Sequence, residues 1–235
     1  MSRIAWDQAT ERLYETGVEQ GVLYLIDSDG DYTDDVSGWN GLINVTESPS
    51  GAEATALWAD NIKYLNMLSA EEFGCTIEAY TYPDAFAKCD GSAEPDEVAG
   101  VYLGQQGRSK FGFCYKTLIG NDSDGTAHGY KLHLIYGCQA SPSEKAYGTQ
   151  NDSPEAITFS WTVNTIPENV EGFKPTSVIV IDSTKFTTDT QKGYLKALED
   201  KLYGVDADSS VSPAIEASDP YLPKPDEVIR TLQGE

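Results

Sequence analysis

Phe111-Gly-Phe-Cys-Tyr-Lys-Thr-Leu-Ile-Gly120-Asn-Asp-Ser-Asp-Gly125-Thr-Ala-His-Gly-Tyr130-Lys-Leu-His-Leu-Ile-Tyr136 is the stretch on which the fold turns. Phe111, Phe113, Tyr115, Thr117 and Ile119 recur at every second position, and Tyr130, Leu132, Leu134 and Tyr136 do the same against Lys131 and His133. A period of two sends alternate side chains to opposite faces, so each run predicts a half-buried antiparallel strand. Between them, Gly120 to Gly129 is rich in residues that tolerate positive φ or bond their own backbone, which predicts a hairpin loop.

The same alternation appears on either side. Cys75, Ile77 and Ala79 oppose Thr76, Glu78 and Tyr80; Ile157, Phe159, Trp161 and Val163 oppose Thr158, Ser160, Thr162 and Asn164. Val178 to Ile181 predicts a short strand buried on both faces. A helix is expected at about 189–203: Asp189 or Thr190 can cap it, Tyr194, Leu195, Leu198, Leu202 and Tyr203 form its stripe, and Gly204 is placed to end it. A short helical turn is expected after Pro83. Asp27, Asp29, Asp31, Asp34 and Asp35 crowd a segment with no apolar period, which predicts a flexible acidic loop at 27–37. Residues 205–235 carry four prolines and should be an extended tail, with Tyr221, Leu222, Val228 and Ile229 as anchors. The expected architecture is mainly β with one packed α-helix: an antiparallel β-sandwich or barrel over 1–204, with an N-terminal arm at 1–16.

Composition narrows the function. The 235 residues carry a net charge of −22, with 40% hydrophobic and 11% aromatic residues. That is enough apolar material for a real core and excludes a disordered acidic polymer. The longest apolar runs, at 21–26 and 178–181, fall far short of the roughly 20 residues of a membrane helix. Residues 1–7 lack the apolar segment of a secretory signal, so none is expected. Gripping duplex DNA from outside needs a basic face, which this chain lacks. The charge is uneven: residues 1–100 hold 20 acidic and 4 basic side chains, whereas 101–204 hold 11 and 10.

Catalytic constellations are missing. The two histidines, His128 and His133, have no Gly-x-Ser-x-Gly elbow beside them, and Gly104-Gln-Gln-Gly107 has no following Gly-Lys-Ser/Thr. Asp27, Asp29 and Asp31 have calcium-ligand spacing, yet Gly30 is misplaced for an EF-hand and Gly38 stands where its glutamate belongs. Cys75, Cys89, Cys114 and Cys138 contain no Cys-x-x-Cys pair and read as reduced and structural. No enzyme activity, catalytic residue, metal or cofactor is expected.

One set of segments, in order, suggests a family. Residues 17–24 (GVEQGVLY), 38–42 (GWNGL), 47–53 (ESPSGAE), 59–61 (ADN), 78–84 (EAYTYPD), 89–91 (CDG), 120–122 (GND), 151–157 (NDSPEAI), 181–184 (IDST) and 202–204 (LYG) resemble pieces of the major tail, or tail tube, proteins of long-tailed, non-contractile bacteriophages. The likeness spans nearly the whole chain, though each piece is turn or strand material.

The resemblance implies a β-sandwich or barrel subunit assembled into hexameric rings. The rings stack into a tube around a tape-measure protein, between distal tail and tail-terminator proteins, and genomic DNA passes through the bore. The product would be a virion component, assembled in the host bacterial cytoplasm. Acids facing the bore would repel phosphates in transit. On this reading the lumen candidates are Glu47, Glu53, Asp60 and Glu78, with the polar row Thr158, Ser160 and Thr162. The inter-ring candidates are Ile4, Trp6 and Tyr14 of the arm and Asp27, Asp29, Asp31, Asp34 and Asp35 of the acidic loop. The competing expectation is a monomeric β-sandwich that binds a carbohydrate or protein through exposed aromatic rings.

Overall fold

A computed structural model describes residues 4, 6–95, 98–150, 152, 155–207, 210 and 216–235. The strands are β1 (Tyr14–Leu25), β2 (Asp34–Trp39), β3 (Leu42–Glu47), β4 (Ser50–Gly51), β5 (Ala54–Ala59), β6 (Ile62–Leu68), β7 (Glu71–Glu72), β8 (Gly74–Ala79), β9 (Phe111–Asn121), β10 (Gly125–Ala140), β11 (Phe159–Thr165) and β12 (Val178–Asp182), followed by helices α1 (Asp189–Tyr203) and α2 (Pro225–Gln233). The chain is mainly β, as its alternation predicts. Eight strands form one sheet in the order β2-β1-β9-β10-β11-β8-β3, with β12 alongside β10. Every pairing is antiparallel.

Inward residues of six strands meet in one cluster: Leu23 and Leu25, Trp39, Cys75 and Ile77, Phe111 and Phe113, Ile135 and Cys138, Trp161 and Val163. A flat sheet could not bring them together, so this sheet curls on itself. Its end strands β2 and β3 are consecutive in the chain, with two residues between Trp39 and Leu42. Phe86, on the 3₁₀ turn Asp84–Lys88, plugs the cluster, and Trp39, Phe86, Tyr82 and Phe159 ring Trp161 at centroid distances of 4.6–6.1 Å among themselves and to it. Edge-to-face contacts dominate, the arrangement that aromatic quadrupoles favour.

A second core lies on the outer face. Val22, Tyr24, Cys114, Leu132, Leu134, Tyr136 and Ile181 pack beneath Leu195, Leu198 and Leu202 of α1 and Val228 of α2. β9 is therefore buried on both faces over Phe111–Tyr115 rather than half-buried, because helices cover the side that alternation leaves to solvent. β10 serves both cores. Leu132–Ile135 pair with β12, Cys138–Ala140 pair with β11, and the change of partner falls at Gly137. Gly137 has φ +59°, and a Cβ there would stand 2.1 Å from the Ile166 carbonyl oxygen, so glycine permits the close approach.

Several expectations need correction. Among the described residues there are two α-helices, not one: within the tail expected to be extended, Pro225 starts α2 at its first position, where the absent N–H is no loss. Residues 208, 209 and 211–215 of that tail, Pro213 among them, lie outside the described residues, as do Met1–Arg3 and Ala5 of the arm and Asn151, Ser153 and Pro154 of the family-like segments. The arm proper ends at Leu13, because Tyr14, Glu15 and Thr16 already pair with β9. Thr188, not Asp189 or Thr190, caps α1 through a capping box with Gln191. β12 is buried on one face only, with Ile181 inside and Val180 46% exposed. Ile157 and Thr158 precede β11 instead of belonging to it.

The acidic loop is a built turn. The Asp27 carboxylate accepts from the Asp31 amide, the Thr33 hydroxyl and the Asp29 amide, which holds its pKa below the usual carboxylate value. Tyr32 is buried beneath it, donating to Glu168 at 2.7 Å and accepting from the Gly137 amide at 3.0 Å. All four cysteines are free and buried, as the spacing suggests. Burial is the first cause that pushes the thiols of Cys75, Cys89 and Cys114 up to about 12.

Candidate functional site: a protruding hairpin and its root

Between β3 and β8 the chain leaves the sheet. Ser48 donates to the Gly74 carbonyl, Ser50 and Gly51 pair with Glu72 and Glu71, and Ala54–Ala59 pair with Ile62–Leu68. Asp60 and Asn61 turn the ladder, both at positive φ (51° and 63°), the twist that two-residue hairpins require. At ~3.3 Å per residue the hairpin reaches about 40 Å from its root. From 50 to 72 every residue is exposed except the half-buried Ala56.

Its composition is unlike a solvated loop. Directly paired residues share a face, so Thr55 and Met67, Leu57 and Leu65, and Ala59 and Ile62 make one side. This stripe is apolar apart from the Thr55 hydroxyl. Trp58, Tyr64 and Leu68 stand out elsewhere on the hairpin, each more than two-thirds exposed. A contiguous exposed apolar surface of this kind marks a contact with something else. Single-sequence reasoning missed the element, because apolar residues on both faces erase the alternation; the signals that remained were the Asp60-Asn61 turn and the flanking apolar runs.

The root is held by a polar cluster. Glu47 Oε1 accepts from the Tyr115 hydroxyl at 2.7 Å and, in the tautomer with Nδ1 protonated, from His133 at 3.1 Å. His133 Nε2 then accepts from the Thr117 hydroxyl at 3.0 Å, and the Tyr115 ring stacks on the imidazole at 4.4 Å. Hydroxyl, imidazole and carboxylate follow one another as in a nucleophile relay. Here, however, Tyr115 shares the carboxylate oxygen and covers one imidazole face, so the cluster works as a strut tying the end of β3 to β9 and β10.

The hydrogen bond from His133, ahead of that from Tyr115, holds the Glu47 carboxyl below its usual value of 4.5, against the opposing effect of burial. A carboxylate with a depressed folded pKa adds stability that is present above its unfolded pKa and lost as pH falls through the folded one. Glu47→Gln should therefore flatten the fall in stability below pH 4.5 relative to the parent, as read by urea unfolding at a series of pH values. Equal slopes would count against the strut.

The lumen candidates do not converge on one surface. Ser160 pairs with Glu78 and Thr162 with Thr76, and β3 adds Asn44 and Thr46, giving a polar outer face across β11, β8 and β3 with one carboxylate, Glu78. Thr158 lies just beyond its edge. Glu47 pairs with Cys75 and so points to the opposite face, while Glu53 and Asp60 ride on the hairpin.

The inter-ring candidates divide as well. Ile4 and Trp6 are 70% and 75% exposed, but the Tyr14 ring lies against Gly120 of its own sheet. Asp31 pairs with Lys224 at 2.6 Å and Asp35 with Lys88 at 3.7 Å; Asp29 donates its amide to Asp27, and Asp34 opens β2.

Neither a scan of protein-family models nor a search of curated proteins gives a match to this chain.

Proposed function

We propose that this chain is a self-assembling structural subunit of the tail tube kind. In this reading its copies form hexameric rings stacked into a tube around a tape-measure protein, bounded by distal tail and tail-terminator proteins, through which DNA passes. The observation that carries the reading is the hairpin at 48–73, an apolar limb that its own chain leaves exposed. Such a limb is a liability in a solitary protein and an asset in a polymer, where a neighbour covers it. The sheet adds support. Among the described residues β2, β3 and β12 each bond to one neighbouring strand, and ring closure would complete such edges. The face of hydroxyls and amides around Glu78 suits a conduit wall: it offers no cation to hold phosphates.

Purified protein should pass from monomer to rings or tubes as its concentration rises, seen by sedimentation velocity and negative-stain microscopy. A species that stays monomeric at every concentration would remove the proposal.

A second reading, a monomeric ligand-binding module, is favoured by one feature. A cleft of about 450 Å³ is lined by Tyr82, Tyr102, Asp84, Asp90, Ser92 and Lys145, an aromatic and hydrogen-bonding mixture suited to a sugar. It requires saturable glycan binding by the monomer.

A further inference from the structure

The hairpin needs a receptor, and the chain carries a surface that matches it. Residues 168–176 fold back on themselves, Glu168 and Thr176 exchanging two backbone hydrogen bonds of 2.9 Å, and the Glu171 amide donates to Asp226 of α2. This turn, β12 and α2 enclose an open depression of about 580 Å³ lined by Val170, Phe173, Pro175, Thr176, Ile179 and Ile229. Phe173 is 76% exposed. The turn is braced at both ends, so the depression exists before anything occupies it.

Resting on the self-assembly reading, we propose that the apolar stripe of the hairpin of one copy seats in this depression of another. The occupant is a second copy of this chain, for three reasons. First, protrusion and depression are both apolar, and each is uncovered in the chain that bears it. Second, the charges match. The depression has one charged lining residue, Lys174, and the hairpin turn carries Asp60; among the described residues neither makes an ion pair. Third, the stripe is about 20 Å long and belongs to one hydrogen-bonded ladder, so one copy can present it whole to another. Because two different patches meet, the contact is heterologous and can repeat without closing.

Two exposed charges test this without touching the core. Lys174→Glu sets two carboxylates together and should raise the concentration at which the full-length chain assembles by about tenfold or more. Asp60→Lys should do the same, and the double exchange should return assembly to near the parent level. All four native thiols are buried, so a chain bearing Leu65→Cys mixed with one bearing Phe173→Cys should form an interchain disulfide on mild oxidation, whereas Leu65→Cys mixed with Val98→Cys should not. If the parent assembles but both single charge variants assemble equally well and the first pair fails to cross-link, the docking is wrong while the tube reading survives. If the parent never assembles, both fall together.

Discussion

Replacing residues 49–72 by Asn-Gly should yield a folded monomer that no longer assembles. The cut leaves Ser48 facing Gly74, and Asn-Gly followed by Phe73 makes a three-residue hairpin loop, a common connection between antiparallel strands. Neither apolar core loses a buried member, since the hairpin contributes none; Phe73, which packs against the inner core, is retained. The free energy of urea unfolding should therefore stay close to the parent value, because no packed feature is touched. Assembly should vanish from the accessible concentration range, because the deleted residues supply seven exposed large apolar side chains, from Leu57 to Leu68. Rings or tubes from the shortened chain at parental concentrations would refute the role given to the limb.

Trp161→Ala carries the largest expected cost in stability. The side chain is fully buried and meets four aromatic rings, Trp39, Tyr82, Phe86 and Phe159, at 5.1–5.9 Å. Truncating a buried tryptophan costs roughly 3–5 kcal/mol, from lost transfer free energy and the cavity left behind. Against a total stability of about 5–15 kcal/mol, that is a large share. Trp161→Phe keeps most of the contact area and should lose less. Thermal and urea unfolding of both variants check the order, and a small loss in the alanine variant would mean that the ring collapses to fill the gap.

Much of the sheet could be read from the chain. Alternation located β8 through Cys75, Ile77 and Ala79, β9 and β10 through the stretch around Phe113 and Leu134, and β11 through Trp161 and Val163, because each strand has one consistently apolar face. The stripe of Leu195, Leu198 and Leu202 likewise located α1. Failures came where a neighbour distant in sequence decides the outcome. Tyr32 is buried under an acidic turn because Glu168 and Gly137 reach it, 136 and 105 residues away. The tail forms a helix because Leu202 and its neighbours on α1 offer Val228 a partner. For the candidate site, the polar row of Ser160, Thr162 and Glu78 was visible as a period-two pattern. The strut was not: Glu47 and His133 are 86 residues apart, and which face Glu47 takes depends on the β3–β8 register.

β10 passes from one partner strand to another at Gly137 and places Leu132, Leu134 and Tyr136 in the outer core, Ile135, Cys138 and Ala140 in the inner. Neither layer can melt while the other keeps this strand in register. Two hydrophobic cores sharing one backbone should therefore behave as a single thermodynamic unit: one calorimetric transition, and slow amide exchange along the whole of β10 set by a common opening event.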